Sequence, residues 1–151
     1  MRIAVLDIGG TAIKYGIAES PDNVTPLGEM ETRAKQDGGE GIVKKAEAIL
    51  DTLSPFDAVG ISTAGIADIK TGAITYANEN IPHYTGIPLG EHLQNRYGVP
   101  VAVRNDVHAA AIGEAAFGAG KDFRSFLCLT YGTGIGGAAF LNGQLLSGQT
   151  D

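Results

Sequence analysis

The apolar positions of the chain change their period several times, and each change marks an element. Ile3, Val5 and Ile8 are β-formers in a short run, Gly9-Gly10 interrupt it, and Ile13, Tyr15 and Ile17 then alternate with Lys14 and Gly16. A period of two marks a half-buried strand, so the opening reads as strand, glycine turn, strand. Residues Leu27 to Thr32 supply a third strand. From Gly41 to Leu53 the period lengthens: Ile42, Val43, Ala46, Ile49, Leu50 and Leu53 share one helical face, and Ser54-Pro55 is the stop. Ala58 to Ser62 reads as a short buried strand. Pro88 sits at a first helical position, Leu89, Leu93 and Tyr97 fall four apart, and Gly98 terminates that helix. Val99 to Val103 predicts another strand, and Asn105-Asp106 precede an alanine-rich helix running to about Gly118.

The stretch from Phe126 to Gly148 then repeats the opening theme, with Asn142-Gly143 as a two-residue hairpin signal. The predicted order is β-β-β-α-β-α-β-α followed by a fresh β-β. Three meandering strands followed by helix–strand alternation specify an α/β fold with a mixed sheet and helices on its faces. The sequence reading assigns 1–118 to a first lobe and 119–151 to the truncated start of a second, similar lobe. A lone hairpin cannot bury its apolar face, so the chain reads as the front part of a longer two-lobe protein. The apolar hairpin from Phe126 to Leu146 is expected to seek a partner, and a homo-oligomer, a dimer, is the expected state.

Composition narrows the partners. The chain has 151 residues, 44% hydrophobic and 19% charged, which specifies a folded domain and excludes a disordered one. Its net charge is −6, and its eleven Lys and Arg are scattered, so it lacks the basic footprint of a nucleic-acid binder. No apolar stretch reaches the length of a membrane span, and no signal-peptide pattern precedes the first strand. The single Cys128 lies in an apolar strand and reads as a small hydrophobe. These features together predict a cytoplasmic protein with a small-molecule ligand.

Two glycine turns carry the candidate chemistry. Gly132, Gly134 and Gly137 match G-x-G-x-x-G, yet the strand after them leads into Asn142-Gly143 and not into a helix. A dinucleotide fingerprint needs that helix, so this reading fails. In Asp7-Ile8-Gly9-Gly10-Thr11, adjacent glycines let backbone amides converge on an anion. Thr11 adds a hydroxyl, Lys14 a charge, and Asp7 a carboxylate able to hold hydrated magnesium. The order is not that of a Walker A loop. An ordinary hairpin turn explains this first segment alone slightly better. The second loop, Gly132-Thr133-Gly134, shifts the balance, because two such turns can clamp a polyphosphate from opposite sides.

Asn105-Asp106 has two readings. Both residues are favoured helix N-caps; alternatively one caps while the other acts as a base. Gly60 to Gly65 is one residue too long for a nucleophile elbow, which leaves Ser62 a poor nucleophile. His83, His92 and His108 lack metal-ligand spacing, and His92 reads as a helix-surface residue. Asn78 to Gly86 has the polar, aromatic composition of a loop that hydrogen-bonds a hydroxylated ligand, and equally of a bare surface loop.

Taken in order, D-I-G-G-T-x-I-K at Asp7 to Lys14, G-I-S-x-A-G-x-x-D at Gly60 to Asp68, N-x-P at Asn80 to Pro82, N-D-V at Asn105 to Val107 and G-T-G-I-G-G from Gly132 resemble the ROK family (repressor, open reading frame, kinase). That family lies within the actin, hexokinase and heat-shock-70 ATPase superfamily. The resemblance implies a ribonuclease-H-like fold in each of two lobes, with ATP, Mg2+ and a hexose meeting between them. By motif, Asp7, Gly9, Gly10, Thr11 and Lys14 belong to the first phosphate loop, Thr133 and Gly134 to the second. Asp106 is implied as general base, and Gly65, Asn80 and Asn105 as lining the sugar pocket. The wording Ile81 to Gly86 points to members acting on glucose or β-glucosides. The family's acidic-glycine-histidine motif and cysteine-rich zinc motif do not occur in these 151 residues, so the chain alone is expected not to phosphorylate sugar usefully. Other classes sharing these motifs are a sugar-responsive ROK transcriptional regulator lacking its DNA-binding domain and a non-catalytic sugar-binding fragment.

Overall fold

The structure, a computed structural model, describes residues 1–20, 23–132 and 134–146. Its elements are β1 (Ile3–Ile8), β2 (Ala12–Ser20), β3 (Asn23–Glu31), α1 (Ala34–Leu53), β4 (Ala58–Thr63), β5 (Ile66–Ala67), β6 (Ile74–Tyr76), α2 (Leu89–Tyr97), β7 (Val101–Asn105), α3 (Asp106–Ala116), β8 (Phe126–Tyr131), β9 (Ile135–Leu141) and β10 (Gln144–Leu145). They group into two compact units, Met1–Arg104 and Asn105–Asp151. The division places α3 with the later strands, whereas the sequence reading groups it with the first lobe.

In the first unit the sheet order is β3-β2-β1-β4-β7. β1 runs antiparallel to β2 and parallel to β4, giving the mixed sheet of a ribonuclease-H-like fold. Alternation along β1 sends Ala4, Leu6 and Ile8 to one face, where they join Ile13, Ile17, Val59 and Ile61. The stripe Ile42, Ala46, Ile49 and Leu50 of α1 completes that core, and α1 lies beside β1 and β2. α1 starts earlier than its periodicity predicts, because a short helical segment precedes a kink at Gly38 (φ 59°, ψ −165°) and the apolar stripe begins only beyond it.

α2 docks on α1 through polar groups. His92 Nε2 lies 2.9 Å from Glu47 Oε1, Arg96 lies 3.0 Å from Asp51, and the Tyr97 hydroxyl lies 2.8 Å from Asp51 Oδ1. His92 is thus a surface residue with a partner. Gly98 caps α2 in the left-handed region at φ 67°, and Pro88 stands one position before the first helical residue instead of on it. β3 extends further back than predicted and is exposed along most of its length, as suits an edge strand that accommodates Pro26. The β5–β6 ribbon has no counterpart in the sequence reading; two and three residues are too short to show a period.

The second unit is an antiparallel sheet, β10-β9-β8, with α3 on one face. Val107 and Ala111 of α3 meet Ala138, with Cys128 partly buried beside them. Phe126 stacks on its cross-strand partner Phe140 at 5.2 Å. The β9–β10 turn holds Asn142 and Gly143 at φ 53° and 84°, the paired positive values of a two-residue hairpin. On the opposite face Leu127, Leu129, Tyr131 and Ile135 are exposed. Among the described residues no helix is long and apolar enough to cross a membrane.

Candidate functional site

β1 and β4 are parallel neighbours, so the loops leaving their carboxyl ends are adjacent. The Ala64 amide donates to the Ile8 carbonyl at 2.9 Å, which sets the Gly9-Gly10 turn beside the Ala64-Gly65 turn. Ligands of open α/β sheets collect at such strand ends. Asp7, the residue before Ile8, is exposed and accepts a hydrogen bond from Ser62 Oγ at 2.8 Å.

The first glycine turn is anchored from beneath. The Gly9 amide donates to the Ala12 carbonyl at 3.0 Å, and the Gly9 carbonyl accepts from Thr32 Oγ1 at 2.8 Å. The Thr32 amide in turn donates to the Thr11 carbonyl at 2.8 Å, and Thr32 is fully buried. Gly9 therefore spends its own amide on the turn. Gly10 and Thr11 are the exposed crest, and the Gly10 amide bonds to none of the described residues. Lys14 stands in register opposite Asp7, exposed, and forms no ion pair among the described residues.

Gly65 follows β4 and lies against Tyr76 and Ala77, the segment that leads into the loop of Asn80. Gly65 has φ 104°, and a Cβ there would lie 2.7 Å from the Tyr76 carbonyl oxygen, so the turn itself demands glycine. Asn80 is exposed, with its amide donating to Asn78 Oδ1 at 3.0 Å. Its loop is pinned at several points. The Gly39 amide at the interruption of α1 donates to the Pro82 carbonyl at 2.9 Å, and the Ala77 amide donates to Thr85 Oγ1 at 2.9 Å. The fully buried Tyr84 hydroxyl meets Thr63 Oγ1 at 2.8 Å, and burial pushes that phenol up to about 12. Sequence reasoning missed both Thr32 and Tyr84 as loop anchors. A threonine one residue past β3 and a tyrosine inside a polar loop were the available signals.

In the second unit Asn105 is the N-cap of α3: its Oδ1 accepts from the Val107 amide at 3.0 Å and the His108 amide at 3.4 Å. Asp106 opens the helix, exposed, with Oδ1 2.8 Å from the Val107 amide. The glycines that follow β8 divide by task. A Cβ on Gly136 would lie 2.3 Å from Val107 Cγ2, so Gly136 serves the packing of α3. Among the described residues a Cβ on Gly132 or Gly134 would meet nothing within 4 Å, and neither is among the glycines described with a positive φ. Gly10 shares both properties. Thr133 lies outside the described residues. Among the described residues no three His, Cys, Asp or Glu side chains cluster as a metal site.

A family model described as ROK family matches residues 3–150. The chain belongs to the ROK family. Relatives within it include a beta-glucoside kinase of Listeria monocytogenes, 38% identical over 152 residues, an alignment covering 98% of this chain and 49% of the relative. The solved structure of a ROK family glucokinase from Streptomyces griseus, in complex with glucose and AMPPNP, is 33% identical and superimposes with a TM-score of 0.85, covering 99% of this chain and 47% of that one. A ROK family transcriptional regulator, a homologue of the E. coli MLC protein, shares the fold at a TM-score of 0.82 with 20% identity, covering 99% of this chain and 39% of that one. The chain spans about half the length of the kinase relatives it matches.

Proposed function

We propose that the ROK polypeptide to which this chain belongs transfers the γ-phosphoryl group of ATP to a hydroxyl of a glucose-like hexose or β-glucoside in the cytoplasm. The observation that carries the reading is the division of labour at the start of α3. Asn105 Oδ1 accepts from the Val107 and His108 amides, and Asp106 shares the Val107 amide through Oδ1 alone, which leaves the exposed carboxylate its second oxygen as a base. Kinases among the ROK relatives support the choice of phosphoryl transfer over other anion chemistry.

The glycines support the phosphate side. Among the described residues neither a positive φ nor a packing contact occupies Gly10 or Gly134, which leaves their backbone open to close approach of a ligand. In the proposed reaction a lone pair of the sugar hydroxyl oxygen forms the new bond to the γ-phosphorus. The hydroxyl proton goes to the Asp106 carboxylate, and the electrons of the breaking P–O bond leave with ADP. Lys14 and the loop amides offset phosphate charge. A lone exposed carboxylate such as Asp7 suits Mg2+, which keeps most of its waters and takes other oxygens from phosphate; when bound it neutralises phosphate charge. Asn80 and Asn105 are assigned to the sugar hydroxyls. The 151-residue chain on its own is proposed to be inactive.

The test is Asp106→Asn in the protein as its cell produces it, with glucose and a β-glucoside as acceptors. The expected result is a loss of kcat of about 10²- to 10⁴-fold with the KM of sugar and ATP little moved. Full turnover by the variant would remove Asp106 as the base. Absence of ATP-dependent phosphorylation by the unsubstituted protein, with salt-dependent binding to DNA, would replace the kinase by a regulator.

A further inference from the structure

Ser62 is a poor nucleophile by its motif, and its hydroxyl has other work. It donates to Asp7 Oδ1 at 2.8 Å. Asp7 and Ser62 are register partners in the parallel pair β1–β4, so both side chains leave the same face of the sheet. On the other side of Asp7 the register brings Lys14, and beyond it Glu29. Lys14 pairs with neither carboxylate among the described residues. Among the described residues Asp7 is therefore held by one neutral donor.

That choice of donor has a chemical consequence. An ionised carboxylate has about four acceptor positions. Ser62 occupies one of them on Oδ1, and Oδ2 has no hydrogen bond among the described residues. An ammonium in the place of the hydroxyl would hold the group equally well and cancel its charge. A hydroxyl restricts the side chain to one orientation and leaves the charge intact. Ser62 is half-buried in a central strand, a position that β-branched residues fill better, so strand stability does not account for it.

We propose that Ser62 is the positioning residue of Asp7: it ties down one carboxylate oxygen so that the other is presented, fully charged, to a hydrated divalent cation travelling with a nucleotide's phosphates. The inference rests on the phosphate-loop reading of Asp7 given above. It makes Ser62 a determinant of how much cation the protein needs, and assigns it no contact with the sugar.

The experiment uses Ser62→Ala and Ser62→Thr in the protein as its cell produces it. Mn2+ with ADP, in the absence of sugar, is the binding probe, and free Mn2+ is counted by electron paramagnetic resonance. In parallel, the Mg2+ dependence of phosphorylation is measured at fixed ATP. Ser62→Ala should weaken Mn2+·ADP binding and raise the Mg2+ concentration for half-maximal rate by about tenfold, the usual scale for losing an outer-shell partner. The sugar KM should stay unchanged, excess Mg2+ should restore kcat, and Ser62→Thr should recover both readouts. Unchanged cation dependence with a lowered melting midpoint would overturn the proposal in favour of a structural hydroxyl. A raised sugar KM would overturn it in favour of a sugar contact. If the unsubstituted protein binds Mn2+·ADP and Ser62→Ala weakens it, while no sugar is phosphorylated, the positioning role stands and the kinase reading falls. If both proteins phosphorylate sugar with the same cation dependence, the kinase reading stands and the positioning role falls.

Discussion

The two units carry the same local device, a strand–glycine–strand turn, on very different supports. In the first, the turn rests on Thr32, which is fully buried and ties both sides of the crest, and the strands run into a continuous core shared with α1 and α2. In the second, the described buried cluster is Val107, Ala111 and Ala138, and the other face of the sheet shows Leu127, Leu129, Tyr131 and Ile135 to solvent, with Tyr131 77% exposed. The described hydrogen bond across the second turn joins Gly132 to Gly134 at 2.9 Å. A glycine motif thus sets what the backbone is able to do, and the surrounding packing sets how firmly it does it.

The contrast can be broken most visibly in the cores. Leu50→Ala, at a fully buried position of the first unit, should cost about 2–5 kcal/mol in chemical denaturation. In the 151-residue chain Leu129→Ala, on the exposed face of the second, should stay within about 0.5 kcal/mol. A comparable loss at both sites would mean that the second sheet is covered on both faces.

A sharper version compares two glycines of one motif. Gly136→Ala forces a methyl group into Val107 Cγ2 and Thr130 Oγ1, and overpacking of this kind costs about 1–3 kcal/mol. Gly134→Ala meets nothing, so its melting midpoint should be unchanged while nucleotide affinity falls, as read by titration calorimetry of the whole protein. Asn105→Ala comes next: loss of the cap should destabilise by about 1 kcal/mol, with the loss of helical signal confined to α3.

The smallest effect is electrostatic and belongs to the α1–α2 junction. The Tyr97 hydroxyl, and after it Arg96, hold the Asp51 carboxyl below its usual 3.8. The unfolded chain then takes up the proton more readily than the folded one, so the contribution is present above 3.8 and fades as pH falls through the lowered folded value. Lys45 does the same for Asp37, and the Thr71 amide for Asp68. Asp51→Asn should lower the neutral plateau slightly and leave stability in strong acid unchanged, so that the acid limb of a stability–pH curve flattens.

Elements with a sustained period were legible from sequence. The apolar stripe of α1, the Gly98 stop of α2, the Asn142-Gly143 turn and the β1–glycine–β2 opening all depend on residues within a few positions of each other. The start of α1 was not, because its first turn is separated from the periodic part at Gly38, and the next amide, that of Gly39, is taken by the Pro82 carbonyl, far along the chain. The capping role of Asn105 was readable as one of two options, since helix caps are local. The Asp7–Ser62 bond was not, because it exists only through the register of two parallel strands 55 residues apart.

Gly39 has a bearing on how tolerance to change is distributed along the chain. A Cβ at this position would lie 2.5 Å from the His83 carbonyl oxygen and 2.7 Å from Tyr84 Cα, and its neighbour Gly38 is itself in the left-handed region. Neither residue offers a side chain to any substrate. In a saturation screen under selection for the proposed activity, both would nevertheless rank with the proposed site residues, because any side chain there pushes away the loop that carries Asn80. Indispensability at these two positions would record the thickness of a bare backbone, not a chemical role.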